Sequence, residues 1–210
     1  MQAVARAAKA VLGHRGRAAA LAAVPAAVAL LVSGAAGPAP ASAAEGERPD
    51  AVAREAYFLP PEDAEPDDGL TYDPALVPAG TGIGVVEVAR RGKTHLRLTL
   101  TGLIPDRTYG AHVHTRPCGS SADEAGPHYQ NEPDPAQPSV DPAYANPDNE
   151  VWLDFTTDLR GNAEATARQD WRFRPGEARS VVIHEHATMT HPGEAGMAGT
   201  RLACLSVPFE

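Results

Sequence analysis

The stretch GVVEVARRGKTHLRLTLTGL, from Gly84 to Leu103, decides the fold class of this chain. Apolar residues alternate with polar ones on both sides of an Arg-Gly pair at positions 91–92. The alternating residues are Val86, Val88, Leu96, Leu98 and Leu100. Since residues i and i+2 of a strand point to the same face, this pattern predicts a hairpin of two half-buried strands.

Similar short patterns follow the hairpin, with turn signals between them. They are YGAHVH (109–114), EVWLDFTTD (150–158), AEATARQDWRF (163–173), RSVVIHEH (179–186) and RLACLSVPF (201–209). No amphipathic run long enough for a helix occurs in this part of the sequence. The sequence therefore predicts an all-β protein, an antiparallel sandwich or barrel of about eight strands.

Two long segments between the predicted strands lack a strand pattern. The first, residues 115–149, contains seven prolines, a density that excludes a helix or a continuous strand ladder. The second runs through THPGEAGMAGT, residues 190–200. Long loops of this kind inside a compact domain are usually functional or disordered. Cys118 would tie the first loop down, which favours a functional loop over a disordered one.

The N-terminal residues predict export from the cytoplasm. Four basic residues precede an Ala/Val/Leu run at 18–32, and the small residues Ala-Ser-Ala end the segment at 43. This pattern indicates a secretory signal peptide over residues 1–43. The alternative, a membrane anchor, requires about 20 apolar residues, and this run is shorter and contains Pro25. The expected location is secreted, extracellular or cell-envelope.

The remaining chain divides into two parts by composition. Residues 44–80 form an acidic, Pro-rich lead-in, predicted to be mostly flexible, with AYFL and LTY as candidate short strands. Residues 81–210 carry the predicted β domain. Removal of residues 1–43 takes away four positive charges, so the formal net charge changes from −9 to −13. Such a protein is a poor partner for nucleic acid or an anionic membrane, because both repel it.

Two cysteines, Cys118 and Cys204, are the only ones in the sequence. In an oxidising compartment, an isolated pair predicts one disulfide, with two free buried thiols as the alternative.

Four histidines are candidates for a metal site. His112 and His114 share one face of a predicted strand, and Val113 faces the core. His184 alternates with the core residues of SVVIHEH and points the same way as that pair, while His128 lies in the long loop. Imidazoles on adjacent strands and a tethered loop suit copper or zinc, and a chance set of surface histidines is the alternative. His95, by contrast, is predicted to face solvent.

Four motifs in order, GAHVH, AGPHY, VVIHEH and AGTRLAC, resemble segments of the copper/zinc superoxide dismutase family. The resemblance spans residues 84–207 and implies a Greek-key barrel. It implies that His112, His114, His128 and His184 bind copper and that Cys118 and Cys204 pair. It also implies that Arg201 holds superoxide, the substrate, beside the metal.

The resemblance is incomplete at the zinc site of that family. There, His128 would bridge copper and zinc, and two further loop histidines and an aspartate would complete the zinc site. No other histidine lies between His128 and Val151, so we expect the zinc site to be missing or degraded. Without zinc, the outer nitrogen of His128 needs another partner. The candidate side chains are Asp148, Glu150 and Asp154.

The implied function is a secreted, copper-dependent superoxide dismutase that cycles between Cu(II) and Cu(I). Arg201 attracts the anion, together with Arg116 and Arg160 if the fold brings them together, and His128 releases the metal and carries a proton. The alternative is an extracellular copper-binding or copper-buffering protein on the same fold, with little catalysis. Four residues of the second loop motivate that alternative: His186, Met189, His191 and Met197. Simple solvated loop residues are the other interpretation of these four.

Overall fold

The computed structural model describes residues 50–210, so the predicted signal peptide lies outside the described residues. Nine strands occur in this range: β1 (Asp50–Leu59), β2 (Gly69–Thr71), β3 (Gly82–Arg90), β4 (Lys93–Thr101), β5 (Thr108–His114), β6 (Phe155–Thr156), β7 (Ala163–Gln169), β8 (Ser180–His184) and β9 (Arg201–Ser206). A single 3-10 turn, Ala122–Ala125, accompanies them in the described residues. No helix in this range is long and apolar enough to cross a membrane.

The strands form one sheet that curls into a nearly closed barrel. Its order is β6-β5-β8-β9-β2-β1-β3-β4-β7, and the end strands β6 and β7 come into contact. All pairs are antiparallel except β1 with β2, which is parallel. The core fills the barrel with residues such as Val85, Leu98, Val113 and Ile183, each at most 1% exposed. The predicted all-β barrel is confirmed, with nine strands instead of about eight.

Residues 50–59 belong to the sheet, whereas the sequence predicted a mostly flexible segment there. They form β1, which pairs with β3 from Asp50 to Tyr57 and places Phe58 in the core at 0% exposure. The candidate segments AYFL and LTY lie in β1 and overlap β2, respectively. Alternation in DAVAREAYFL is weak because three of its seven apolar residues are alanines, so the sequence pattern did not indicate the whole strand.

The hairpin β3–β4 forms as predicted, but the interior face of β3 is the opposite one. Val85 and Ala89 point inward, whereas Val86 is 41% exposed. The shift by one residue places Glu87 inside, at 1% exposure. Its Oε2 accepts a hydrogen bond from the backbone N–H of Glu210 (3.1 Å), and Oε1 has no partner among the described residues. Burial therefore raises the pKa of Glu87 to about 7.

This carboxyl predicts a loss of stability as the pH rises. A pKa raised from 4.5 to about 7 lets the folded state bind the proton more tightly, so stability present below pH 4.5 is lost as the pH passes 7. The shift corresponds to about 3 kcal/mol. We expect Glu87→Gln to remove this dependence in urea unfolding between pH 5 and pH 8. Glu55→Gln, on the exposed face of the same sheet, is the control, and identical pH profiles for wild type and Glu87→Gln would contradict the prediction.

The predicted strand EVWLDFTTD is regular only at Phe155–Thr156. Its first half makes isolated bridges instead: Trp152 pairs with His112 of β5, and Glu150 pairs with Gln130 of the long loop. The long loop therefore lies against β5 through this segment. The arrangement brings Glu150 next to the histidine cluster described below.

Candidate metal centre

The four predicted histidines lie together on the outer face of the barrel. His112 and His114 come from β5, and His184 comes from the neighbouring β8, opposite Gly110. His128 reaches them from the long loop through a backbone bridge to His114. One ring nitrogen from each of the four lies within 4.8 Å of the others, and no other group of three or more metal-binding side chains occurs in residues 50–210.

Each ring presents one nitrogen to the centre and binds the protein with the other. His114 Nδ1 donates to the carbonyl of Gly126 (2.9 Å), and His184 Nδ1 is 3.5 Å from the carbonyl of Gly199. The Nε2 atoms of His114 and His184 face each other at 3.2 Å. For His112 the order is reversed, since Nε2 contacts Thr188 and Nδ1 is buried without a partner.

The cluster is outside the barrel yet shielded from solvent by the two long loops. His112 and His114 are 0% exposed and His184 is 3% exposed. Burial, followed by the charge of His128, holds the pKa of His112 and of His114 well below the ordinary value. Burial also lowers the pKa of His184 to about 3. These three imidazoles are therefore neutral at physiological pH, the form in which histidine binds a metal.

A buried carboxylate takes the outer nitrogen of His128. His128 Nδ1 donates to Glu150 Oε2 (2.9 Å), and Trp152 Nε1 donates to the same oxygen (2.8 Å). Gln130 Nε2 donates to Glu150 Oε1 (2.7 Å). Glu150, one of the three candidates from the sequence, is thus the partner of His128. It is 1% exposed and fixes the proton of His128 on Nδ1, which leaves Nε2 toward the centre.

His112 is oriented by a two-step chain that the sequence did not indicate. Its Nε2 donates to Thr188 Oγ1 (2.7 Å), and Thr188 Oγ1 donates to Asp154 Oδ1 (2.7 Å). The backbone N–H of Thr188 donates to the other carboxylate oxygen of Asp154 (2.7 Å). Asp154 therefore orients His112 through Thr188, whereas the sequence suggested it only as a partner for His128. Neither Thr188 nor Asp154 lies in a recognisable sequence motif. Their contact joins segments that are distant in sequence, so no local pattern indicates it.

Two other carboxylates of the long loop, Asp134 and Asp141, bind that loop itself. Asp134 accepts hydrogen bonds from Ser139 Oγ (2.8 Å) and the backbone of Ala136 (2.8 Å). Asp141 caps the backbone of Ala143 (2.9 Å). These carboxylates are used in loop turns and are not part of the histidine cluster.

The predicted disulfide joins Cys118 of the long loop to Cys204 of β9. The same loop segment supplies the carbonyl of Gly126 to His114 and the carbonyl of Ala122 to Arg201 Nη1 (3.1 Å). The disulfide therefore anchors the loop whose backbone orients both side chains.

Arg201 lies on the wall of a cavity of about 540 Å³ that reaches His128 and His184. Burial lowers the pKa of its guanidinium from the ordinary value, and the charges of Asp123 and Tyr72 oppose this effect. Arg116 and Arg160, the other two cations considered from the sequence, do not line this cavity. Arg160 instead lies on an exposed turn beside Asp158, whose pKa is lowered mainly by backbone hydrogen bonds.

The comparisons with known proteins agree with this fold. The family model for copper/zinc superoxide dismutase (SODC) matches residues 83–207. The Cu/Zn superoxide dismutase from Brucella abortus has a similar fold with 20% sequence identity, a TM-score of 0.50, and coverage of 77% of this chain and 99% of that one. A double mutant of a SOD-like protein from Bacillus subtilis has 14% identity, a TM-score of 0.48, and coverage of 76% and 97%.

No curated protein matches the sequence. The family model nevertheless covers more than half of the chain, and the barrel and the histidine cluster fall within the matched residues. The chain therefore belongs to the copper/zinc superoxide dismutase family.

Proposed function

We propose that this protein is an exported superoxide dismutase that uses copper and does not require zinc. One observation carries the proposal: four imidazole nitrogens converge, and the outer nitrogen of His128 is held by Glu150. A carboxylate thus fulfils the orienting role that a second metal ion would otherwise have.

The residues present fit a copper ion. Four imidazoles form the donor set, and the unpartnered Nδ1 of His112 is a buried acceptor that a metal would satisfy. Imidazole nitrogen is a preferred ligand of copper, and zinc, which has no redox chemistry, cannot support dismutation alone. When bound, copper supplies alternating one-electron oxidation and reduction of superoxide. The overall reaction converts two superoxide ions and two protons into dioxygen and hydrogen peroxide.

The protein's own groups bind the anion and place the proton. Arg201 keeps its charge throughout the physiological range and offers hydrogen-bond donors on the cavity wall. Because Glu150 retains the proton on His128 Nδ1, a proton that His128 passes toward the product must be carried on Nε2. The net charge of −13 expected for the exported chain repels superoxide at long range. Arg201 therefore acts locally, within a Debye length of about 8 Å.

Export is supported by two features. The N-terminal residues have the composition of a signal peptide, and the disulfide Cys118–Cys204 is of the kind that persists in oxidising compartments. A location outside the cytoplasm also fits a substrate that is an anion and crosses membranes poorly.

The function predicts rapid dismutation with copper alone. We expect the oxidised mature protein, loaded with one copper and no zinc, to remove superoxide at rates approaching the diffusional range in pulse radiolysis. Arg201→Ala should retain copper and lose about tenfold or more of the rate, because the local attraction of the anion disappears. Arg116→Ala, a cation outside the cavity, is the matched control.

Three results would count against parts of this proposal. Slow superoxide decay in a protein that binds copper tightly would favour the copper-binding alternative. An unchanged rate in Arg201→Ala with copper retained would remove Arg201 from the site. The zinc content of each sample is measured as well. Full activity that appears only after zinc addition would contradict the copper-only proposal.

A further inference from the structure

The loop between β8 and β9 closes on itself at two methionines. The backbone N–H of Met189 donates to the carbonyl of Met197 (2.8 Å), and the N–H of Gly196 donates to the carbonyl of Met189 (2.9 Å). These bonds place the two methionines side by side at the neck of a nine-residue loop, 189–197.

The burial of this loop is the reverse of what packing alone favours. Ala195 and Ala198, which have small side chains, are 0% and 3% exposed. Met189 and Met197, which have large apolar side chains, are 38% and 49% exposed. Fully burying a methionine side chain contributes about 1.5–3 kcal/mol, and this chain leaves part of that stabilisation unused at both positions. An exposed pair of large apolar side chains is informative about binding.

A third side chain able to bind copper lies inside the same loop. His191 follows Met189 by two residues, is exposed, and makes no side-chain hydrogen bond within residues 50–210. His186, the other nearby imidazole, is less available because its Nδ1 is bonded to the carbonyl of Ala187 (2.9 Å). Its Nε2 also packs against Gly199, so closely that a Cβ atom at position 199 would lie only 2.8 Å from this nitrogen.

The loop is adjacent to the four-histidine centre. Met197 lines the cavity that reaches His128 and His184. Met189 directly follows Thr188, which holds His112. A metal ion bound between the methionines would therefore lie at the entrance of the cavity, beside two of the elements that position the histidines.

We propose that Met189, Met197 and His191 bind Cu(I) and that this site acquires copper for the four-histidine centre. Two soft thioethers with one imidazole, which also binds copper, form a donor set that favours Cu(I) over hard cations. Copper passes between the sites by ligand exchange, with no change of oxidation state. Binding at the loop is independent of the proposed function, whereas transfer to the histidines rests on it.

The binding step is tested on protein whose four-histidine site already holds copper. A second equivalent of Cu(I) is titrated anaerobically, in competition with the chromogenic chelator bicinchoninate. We expect wild type to take up one further Cu(I) and the variant Met189→Leu/Met197→Leu to bind it at least tenfold more weakly. Leucine preserves size and apolarity, so folding is retained. His191→Ala should also weaken binding, and His186→Ala should not.

The transfer step is tested on apoprotein given limiting Cu(I)-bicinchoninate and then air. The Cu(II) absorption of the histidine site should reach the same final value in wild type and in the double methionine variant, with the rate at least fivefold slower in the variant. Equal Cu(I) affinity in both proteins would overturn the loop site, and equal transfer rates would overturn its acquisition role. If neither protein loads the histidine site, the proposed function fails, while the same Cu(I) titration on the metal-free proteins still decides the loop site.

Discussion

Replacement of Glu150 by glutamine is expected to weaken Cu(II) binding about 10- to 100-fold, the range typical for groups that orient metal ligands. Three donors converge on this carboxylate: His128 Nδ1, Trp152 Nε1 and Gln130 Nε2. A carboxylate accepts all three, because both of its oxygens are acceptors. A glutamine amide offers one acceptor oxygen and presents N–H groups on the other side.

The substitution therefore forces a donor against a donor. If the amide nitrogen faces His128, the ring can relieve the conflict only by moving its proton to Nε2, the atom that points to the centre. A protonated Nε2 cannot bind a metal. If the amide nitrogen faces Gln130 instead, a buried donor loses its partner, at a cost of about 1–3 kcal/mol. Both orientations disturb the site, and the first removes a ligand from it.

Two measurements check the expected loss. Competition with a Cu(II) chelator gives the affinity, and the nitrogen chemical shifts of the His128 ring in the metal-free protein report which nitrogen carries the proton. Asp148→Asn is the matched control, since it removes the same charge two residues away from an exposed side chain outside this network. Wild-type affinity together with an Nδ1-protonated His128 in Glu150→Gln would show that the carboxylate does not orient the ring.

The positions of three of the four histidines were predictable because strand periodicity is a local property. His112 and His114 had to share a face if residues 108–114 formed a strand, and His184 followed from the core residues on either side of it. His128 was a weaker candidate until the resemblance to a known family was added, since no periodicity operates in that loop. The same applies to the contact of Arg201 with the cavity.

The partners of the histidines could not be chosen from the sequence. Asp148, Glu150 and Asp154 are chemically similar and close in sequence, and only the bridges at Glu150 and Trp152 decide which carboxylate is buried. Glu87 shows the same limitation in the barrel. Valine occupies both position 85 and position 86, so an alternating pattern fits either face of β3. Pairing with β1 and β4 decides which face points inward.

Loss of the disulfide is expected to lower the free energy of unfolding by about 4–5 kcal/mol. Cys118 and Cys204 are 86 residues apart in sequence, so the bond restricts a large part of the unfolded chain. The entropy gained by that chain on removal of a cross-link increases with the length of the closed loop. This makes the disulfide the largest single contribution to stability that we predict for the molecule.

The variant Cys118→Ser/Cys204→Ala provides the test by urea unfolding of the metal-free protein. Alanine is chosen at position 204 because that side chain is fully buried and a hydroxyl there would lack a partner. Ser206→Ala is the matched control: Ser206 Oγ accepts a hydrogen bond from the backbone of Cys118 (3.0 Å), so this variant loosens the same contact while the disulfide remains. A loss below about 1 kcal/mol in the double variant would be inconsistent with the chain-entropy argument.

The same variant separates stability from the geometry of the metal centre. The anchored loop supplies the Gly126 carbonyl to His114 and the Ala122 carbonyl to Arg201, so its release should reduce copper affinity even where the barrel stays folded. Metal binding measured at low temperature without urea isolates this effect from global unfolding. If the disulfide served stability alone, the folded variant would bind copper as tightly as wild type. We expect weaker binding, because a carbonyl that moves away leaves His114 free to rotate out of the orientation in which its Nε2 faces His184.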